Sequence, residues 1–287
     1  MTSPLKLEDP MCRWIAYTGG PVYLEDLLFK PKHSLIDQSL AACAGETTTN
    51  GDGFGVGWYG NGRAPGLYKG IQPAWSDENL LDLASQIKSP MFMAHVRSTT
   101  GTAIQRTNCH PFRHGRWLFQ HNGAISDFPE VKRDLMLAIS PRLFPEVSGS
   151  TDSEVMFFLA LTFGLENEPI AGVERMIGFI EDVGRRHGVS RPLQMTLAIL
   201  DGETLYAFRY SSGGKSRTLF YSASIAAMRQ HFPDVDTFSD DARAVVSEPL
   251  GGIENVNRFW IEVPESSAVV VARGDVNVAP LKPRRAV

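Results

Sequence analysis

The chain has 287 residues, 43% of them hydrophobic and 21% charged, with a formal net charge of -4. That length holds one large domain or two small ones, and the apolar share excludes a mostly disordered protein. The acidic balance offers no basic patch for a nucleic-acid backbone, no apolar run reaches the about 20 residues of a membrane span, and residues 1–10 lack the apolar segment of a secretory signal.

In chain order, residues 1–11 read as a polar extension or propeptide that ends at Pro10 and Met11. The stretch 12–18 carries strand-forming types and stops at Gly19-Gly20-Pro21. The segment 49–59 alternates glycine with Phe54, Val56 and Trp58, which suggests strand pairing with close backbone approach. It lacks the lysine and hydroxyl ending of a phosphate loop. A helix is expected over 76–87, capped by Ser76, with Leu80, Leu83, Ala84 and Ile87 on one face. Buried strands are expected at 91–96 and 117–119, the second ending at Gln120-His121-Asn122-Gly123. A helix over 152–161 enters the core, and Pro169 opens another that Gly188 stops. Asp201-Gly202 joins strands 195–200 and 203–210 as a hairpin. Further strands are expected near 219–222, 244–247, 259–263 and 268–272. The order fits an α+β domain over 12–275. Residues 276–287, with Lys282, Arg284 and Arg285, read as a solvated tail.

Three cysteines, Cys12, Cys43 and Cys109, form neither a disulfide framework nor a zinc ribbon, so a reducing cytoplasm is the default setting. Cysteine is a usable nucleophile because its thiolate forms within reach of neutral pH. Cys12 follows a methionine. Freed as the first residue, it carries an α-amine of pKa about 8 that can take the thiol proton. The same residue also reads as an inert core cysteine. Arg97 has the donor fork that suits a carboxylate, or a surface salt bridge. Asn122 and the N–H of Gly123 can aim at one oxyanion, or form an ordinary turn. Asp152 can cap the following helix or bind an ammonium group.

Taken together, Met11-Cys12-Arg13, the 49–59 glycine-rich stretch, His95-Val96-Arg97, Gln120-His121-Asn122-Gly123 and Thr151-Asp152-Ser153-Glu154 resemble the class II, N-terminal-nucleophile glutamine amidotransferases. The likeness is closest to the stand-alone branch with the γ-glutamyl hydrolases of ergothioneine biosynthesis and glutathione degradation. It implies a four-layer αββα sandwich of two antiparallel sheets between helical layers. It also implies Cys12 as nucleophile, Asn122 and Gly123 as oxyanion hole, Arg97 on the substrate α-carboxylate and Asp152 on its α-ammonium. Asn50, Gly51 and Asp52 would border the site, with His95 in a supporting place and His110 on a loop shaping the pocket. No metal or organic cofactor is needed. The expected ligand is glutamine or a γ-glutamyl small molecule.

In most of that family the cysteine directly follows the start methionine, whereas here ten residues precede Met11. Either Met11 is the true start, or the segment is a propeptide, or the activity is lost. Three functions follow: a γ-glutamyl hydrolase, a glutaminase subunit handing ammonia to a separate synthase (a peptidase subunit being another possible partner), or a non-catalytic binding protein on the same scaffold.

Overall fold

The computed structural model describes residues 12–41, 49–99, 102–223, 238–252, 256 and 258–285; the expected extension and Cys43 lie outside them. The first strand, β1 (Arg13–Tyr23), has almost every residue of its first half buried, because both of its faces are covered. Ile15 and Tyr17 point into a core shared with helices, while Trp14 and Ala16 point into a core between two sheets. The period of two along a strand makes this division.

The sheet around β1 contains β2 (Phe54–Trp58), β3 (Gly66–Gly70), β4 (Lys88–Val96), β9 (Phe220–Ser222), β10 (Arg243–Val246) and β11 (Trp260–Glu262), in the order β11-β9-β10-β1-β4-β2-β3. The second sheet runs β13-β12-β8-β7-β6-β5, from β5 (Phe112–His114), β6 (Trp117–Ile125), β7 (Leu193–Leu200), β8 (Thr204–Ser211), β12 (Ser267–Ala272) and β13 (Asp275–Pro280). Every ladder is antiparallel. Helices α1 (Glu25–Leu28), α2 (Leu35–Leu40) and α3 (Glu78–Gln86) cover the outer face of the first sheet, against Phe92, Ala94 and Val96 of β4. Helices α4 (Phe128–Leu137), α5 (Asp152–Thr162) and α6 (Pro169–Arg186) cover the second, against Met195, Leu197 and Ile199 of β7. Met91, Met93, Leu118, Ala198 and Leu200 fill the space between the sheets. The fold is therefore the α+β, αββα sandwich that the motif set implies.

Four local expectations are corrected. The strand read at 117–119 runs on to Ile125, so Asn122-Gly123 is strand and not a turn: β6 continues its ladder with β7 through Asn122–Thr196 and Gly123–Met195. Asp77, not Ser76, caps α3, accepting the Leu80 N–H at 2.7 Å. Asp152 is the first helical residue of α5, and Thr151 is its cap, accepting the Glu154 N–H at 3.2 Å. The tail read from 276 instead begins as edge strand β13, paired along its length with β12. Beyond it, Arg284 is not simply solvated: its Nε lies 2.5 Å from the buried carboxylate of Glu174 on α6. The Arg284 N–H also donates to the Glu174 carbonyl.

Candidate active site

Cys12 stands at the head of β1. The ladder with β4 pairs Arg13 with Val96, so Cys12 meets the residues just past the end of β4. Its Sγ accepts the Ser98 N–H at 3.4 Å and lies 3.4 Å from the Ser98 carbonyl oxygen. Like Trp14, it faces the second sheet. From there Asn122 reaches across and donates its Nδ2–H to the Cys12 carbonyl at 2.9 Å. Burial pushes the Cys12 thiol up, against the pull of the Ser98 bond and of the positive charges on Arg217, Arg97 and Arg13. The resting group is therefore a thiol that needs a base.

Arg97 directly follows β4 and is 3% exposed. Its Nη1 donates to the carbonyls of Asp52 and Ala103, and its Nη2 to the hydroxyls of Thr99 and Thr102. The neighbouring strand end is laced to it: Asp52 N–H donates to the Arg97 carbonyl, and Asp52 Oδ2 accepts the Thr99 N–H at 2.8 Å. All four Arg97 acceptors are neutral, and no carboxylate pairs with it among the described residues. Arg13, by contrast, holds the buried Glu248 at 2.7 Å, and His33 approaches the other oxygen of that carboxylate at 2.5 Å.

Gly123 sits at φ 151°, and a Cβ there would run into the Gln194 carbonyl oxygen, so only glycine fits beside Asn122. Asp152 lies at the far end of β6. Its Oδ2 accepts the Ile125 N–H at 2.9 Å, and its Oδ1 accepts the N–H and hydroxyl of Ser153. Ser153 Oγ also meets His121 Nδ1 at 2.8 Å.

The structure thus gathers Cys12, Arg97 and Asn122, with Gly123 next to Asn122 and Asp52 bracing Arg97. Asp152 stands at the end of the same strand as Asn122. Asn50 and Gly51 are not part of that cluster: Asn50 donates to the Gln38 carbonyl of α2, and Gly51 abuts Trp75. His95 is 1% exposed and lies beneath the site rather than on its surface. Its Nε2 meets the His121 carbonyl at 3.1 Å and its ring stacks on His110, centroids 4.1 Å apart. The sequence reading missed Ser98, Thr99, Thr102, the Arg13–Glu248 pair and Arg217. Ser98 and Thr99 follow Arg97 directly, and the polar run after a buried strand was the available signal. Glu248 carries none, since its partner Arg13 lies 235 positions away.

Two antiparallel sheets between helical layers are the αββα arrangement of the N-terminal-nucleophile type of fold. A family model described as glutamine amidotransferases class-II matches residues 32–286. The chain is 30% identical over 304 residues to the probable glutamine amidotransferase DUG3 of Saccharomyces cerevisiae, covering 94% of this chain and 84% of that protein. Over 117 residues it is 33% identical to the gamma-glutamyl-hercynylcysteine sulfoxide hydrolase of Mycolicibacterium smegmatis, 40% of this chain and 52% of the hydrolase. A solved glutamine aminotransferase class-II domain protein from Silicibacter pomeroyi superposes with a TM-score of 0.71 at 32% identity, covering 95% of this chain and all of that one. The chain belongs to the class-II glutamine amidotransferases. The family match begins after Cys12.

Proposed function

We propose that the protein hydrolyses the γ-amide of glutamine or of a γ-glutamyl compound, with Cys12 as nucleophile once it is the N-terminal residue. The observation that carries this reading is Arg97. A guanidinium 3% exposed, resting only on neutral oxygens among the described residues, keeps a charge without the counter-ion that normally offsets its desolvation. A ligand carboxylate beside Cys12 supplies that counter-ion, and the α-carboxylate of a γ-glutamyl group is one. Asp152 is the matching anion for the α-ammonium, which explains selectivity for a free γ-glutamyl end over an internal peptide amide.

The steps follow from the groups at hand. The free α-amine of Cys12 takes the thiol proton, directly or through water. The sulfur adds to the amide carbon, and the carbonyl π-electrons move to oxygen, where the Asn122 amide and the Gly123 N–H stabilise the charge. The ammonium returns its proton to the amide nitrogen, the C–N bond breaks, and an amine or ammonia leaves a γ-glutamyl thioester. Water, deprotonated by the same amine, attacks the thioester; the C–S bond breaks and glutamate and the thiol are restored. The likeness to a γ-glutamyl hydrolase favours release of the amine over transfer to a synthase.

The test combines mass spectrometry of the mature N terminus with glutamate release from glutamine and a panel of γ-glutamyl amides. The expected result is a Cys12 N terminus in the active protein and loss of turnover in Cys12→Ala. Full activity in protein that retains residues ahead of Cys12 would refute the free-amine route.

A further inference from the structure

The side chain of Asn108 links the loop that holds Arg97 to the loop that leads into Asp152. It is fully buried. Its Nδ2 donates to the Ala103 carbonyl at 2.9 Å and to the Ser150 hydroxyl at 3.1 Å. Its Oδ1 accepts the Ser150 N–H at 2.8 Å and the Gln105 side-chain amide at 3.2 Å. A side-chain amide supplies two N–H donors and a carbonyl acceptor at one centre, a set that neither a carboxylate nor a hydroxyl reproduces. On the first loop, the Thr102 hydroxyl takes Arg97 Nη2 at 2.5 Å and the Ala103 carbonyl takes Nη1 at 3.4 Å. On the second, Ser150 stands two residues ahead of Asp152, beside Thr151, the cap of α5. Glu154 of α5 grips the same loop, accepting the N–H groups of Ser148 at 3.0 Å and Gly149 at 2.6 Å. A Cβ on Gly149 would lie 2.6 Å from Asn108 Oδ1 and 2.9 Å from Glu154 Oε2, so the 148–150 segment is wedged between those two side chains.

The carboxylate and ammonium of an α-amino acid sit on one carbon, so a cation and an anion that grip them must keep one separation. Binding at one end then orients the other without further ordering cost, provided that separation is fixed beforehand. The anchor of Asp152 on β6, the Ile125 N–H, sets its place along that strand. Asn108 supplies the tie toward Arg97. It bonds to none of Cys12, Asn122 and Gly123, which reach the site on the β1 and β6 ladders. Its influence therefore falls on how the head group is held and not on the bond-making atoms.

Building on the γ-glutamyl hydrolase reading, we propose that Asn108 is a positioning residue that fixes the separation of Arg97 and Asp152, so that the α-carboxylate and α-ammonium of the substrate are bound as one cooperative unit. The test uses γ-glutamyl anilide, its α-methyl ester and its des-amino form, which lack one head-group charge each. Asn108→Ala should raise KM for γ-glutamyl anilide at least about tenfold and leave kcat within about threefold. The kcat/KM preference for γ-glutamyl anilide over each analogue should shrink at least about threefold in that variant. Ser150→Ala removes only the hydroxyl partner at a half-buried residue and keeps the backbone bond to Oδ1. It should move both readouts the same way, by about threefold. KM and substrate ratios do not depend on the active fraction, so a variant that merely folds less well leaves them unchanged. Should Asn108→Ala yield no folded protein, Ser150→Ala decides by the same two readouts. Unaltered KM and unaltered ratios overturn the positioning role while leaving the hydrolase reading intact. No turnover of any γ-glutamyl amide by unaltered protein with a free Cys12 overturns both.

Discussion

The side-chain amide of Asn122 donates to the carbonyl oxygen of Cys12 at 2.9 Å, a bond between β6 of one sheet and the head of β1 in the other. It fixes the separation of the sheets at the point where the sulfur sits. It uses one of the two amide protons, leaving the second for a developing oxyanion. Asn122→Ala is expected to lower kcat by about 100- to 1000-fold with little change in KM, the usual loss for one oxyanion donor. Steady-state kinetics checks it; an unaltered kcat removes Asn122 from the chemistry.

The two buried arginines at the site should respond in opposite ways. Arg13→Met takes the guanidinium from Glu248 at 2.7 Å, leaving that buried carboxylate with His33 on its other oxygen, and is expected to cost about 3 kcal/mol of stability. Arg97→Met removes a cation with no carboxylate partner among the described residues, so its stability loss should be clearly smaller. Its kcat/KM for a γ-glutamyl substrate should nonetheless fall about 100-fold, the worth of a charge-assisted bond to a carboxylate. Urea midpoints and kinetics on both variants separate the cases.

These contrasts also show what the chain order could and could not reveal. The long apolar stretches of α5 and α6 and the Asp201-Gly202 hairpin were legible because each is encoded locally. Asn122-Gly123 looked like a turn because that dipeptide prefers one; pairing with β7 overrode the preference, and the glycine's φ of 151° shows why glycine is still required there. Edge strand β13 was missed because half-exposed strands need little apolar sequence. Short α2 was missed too, although Ser34 and Asp37 form a capping box. At the site, Cys12, Arg97 and Asn122 were legible as motif residues. The Arg13–Glu248 pair joins positions 235 apart, which no spacing rule reaches.

Acid should unfold the protein through its buried histidines. Desolvation lowers the pKa of His95 to about 3, and it lowers those of His110 and His121 as well. The folded forms stay neutral while the unfolded chain takes up protons near pH 6.5. The stability these groups lend is therefore complete above about pH 6.5 and declines as pH falls toward the folded values, by about 1.4 kcal/mol per pH unit for each histidine. Neither ring nitrogen of His110 has a partner among the described residues, and its ring packs on His95 and Phe112. His110→Phe should therefore cost little at pH 7.5 and be stabilised relative to the parent at pH 5.0. Urea midpoints at the two pH values check this, and parallel pH profiles would contradict it.

The glycine alternation in β2 carries a last prediction. Phe54 and Val56 face the helices, so the intervening glycines face the second sheet. A Cβ on Gly57 would lie 2.8 Å from both Leu118 of β6 and Pro111, and one on Gly55 would strike the His110 carbonyl. The obstacle at Gly55 is backbone, which cannot swing aside as a side-chain tip does. Gly55→Ala must therefore push the 110–111 segment away from β2, displacing His110 from its stack on His95, and is expected to cost at least about 2 kcal/mol. Gly60, just past the same strand, is exposed with nothing within 4 Å of its added Cβ, so Gly60→Ala should stay within about 0.5 kcal/mol of the parent. Thermal or urea unfolding of the pair tests the point. Equal stabilities would mean that the stripe reflects something other than the close approach of the 110–111 segment.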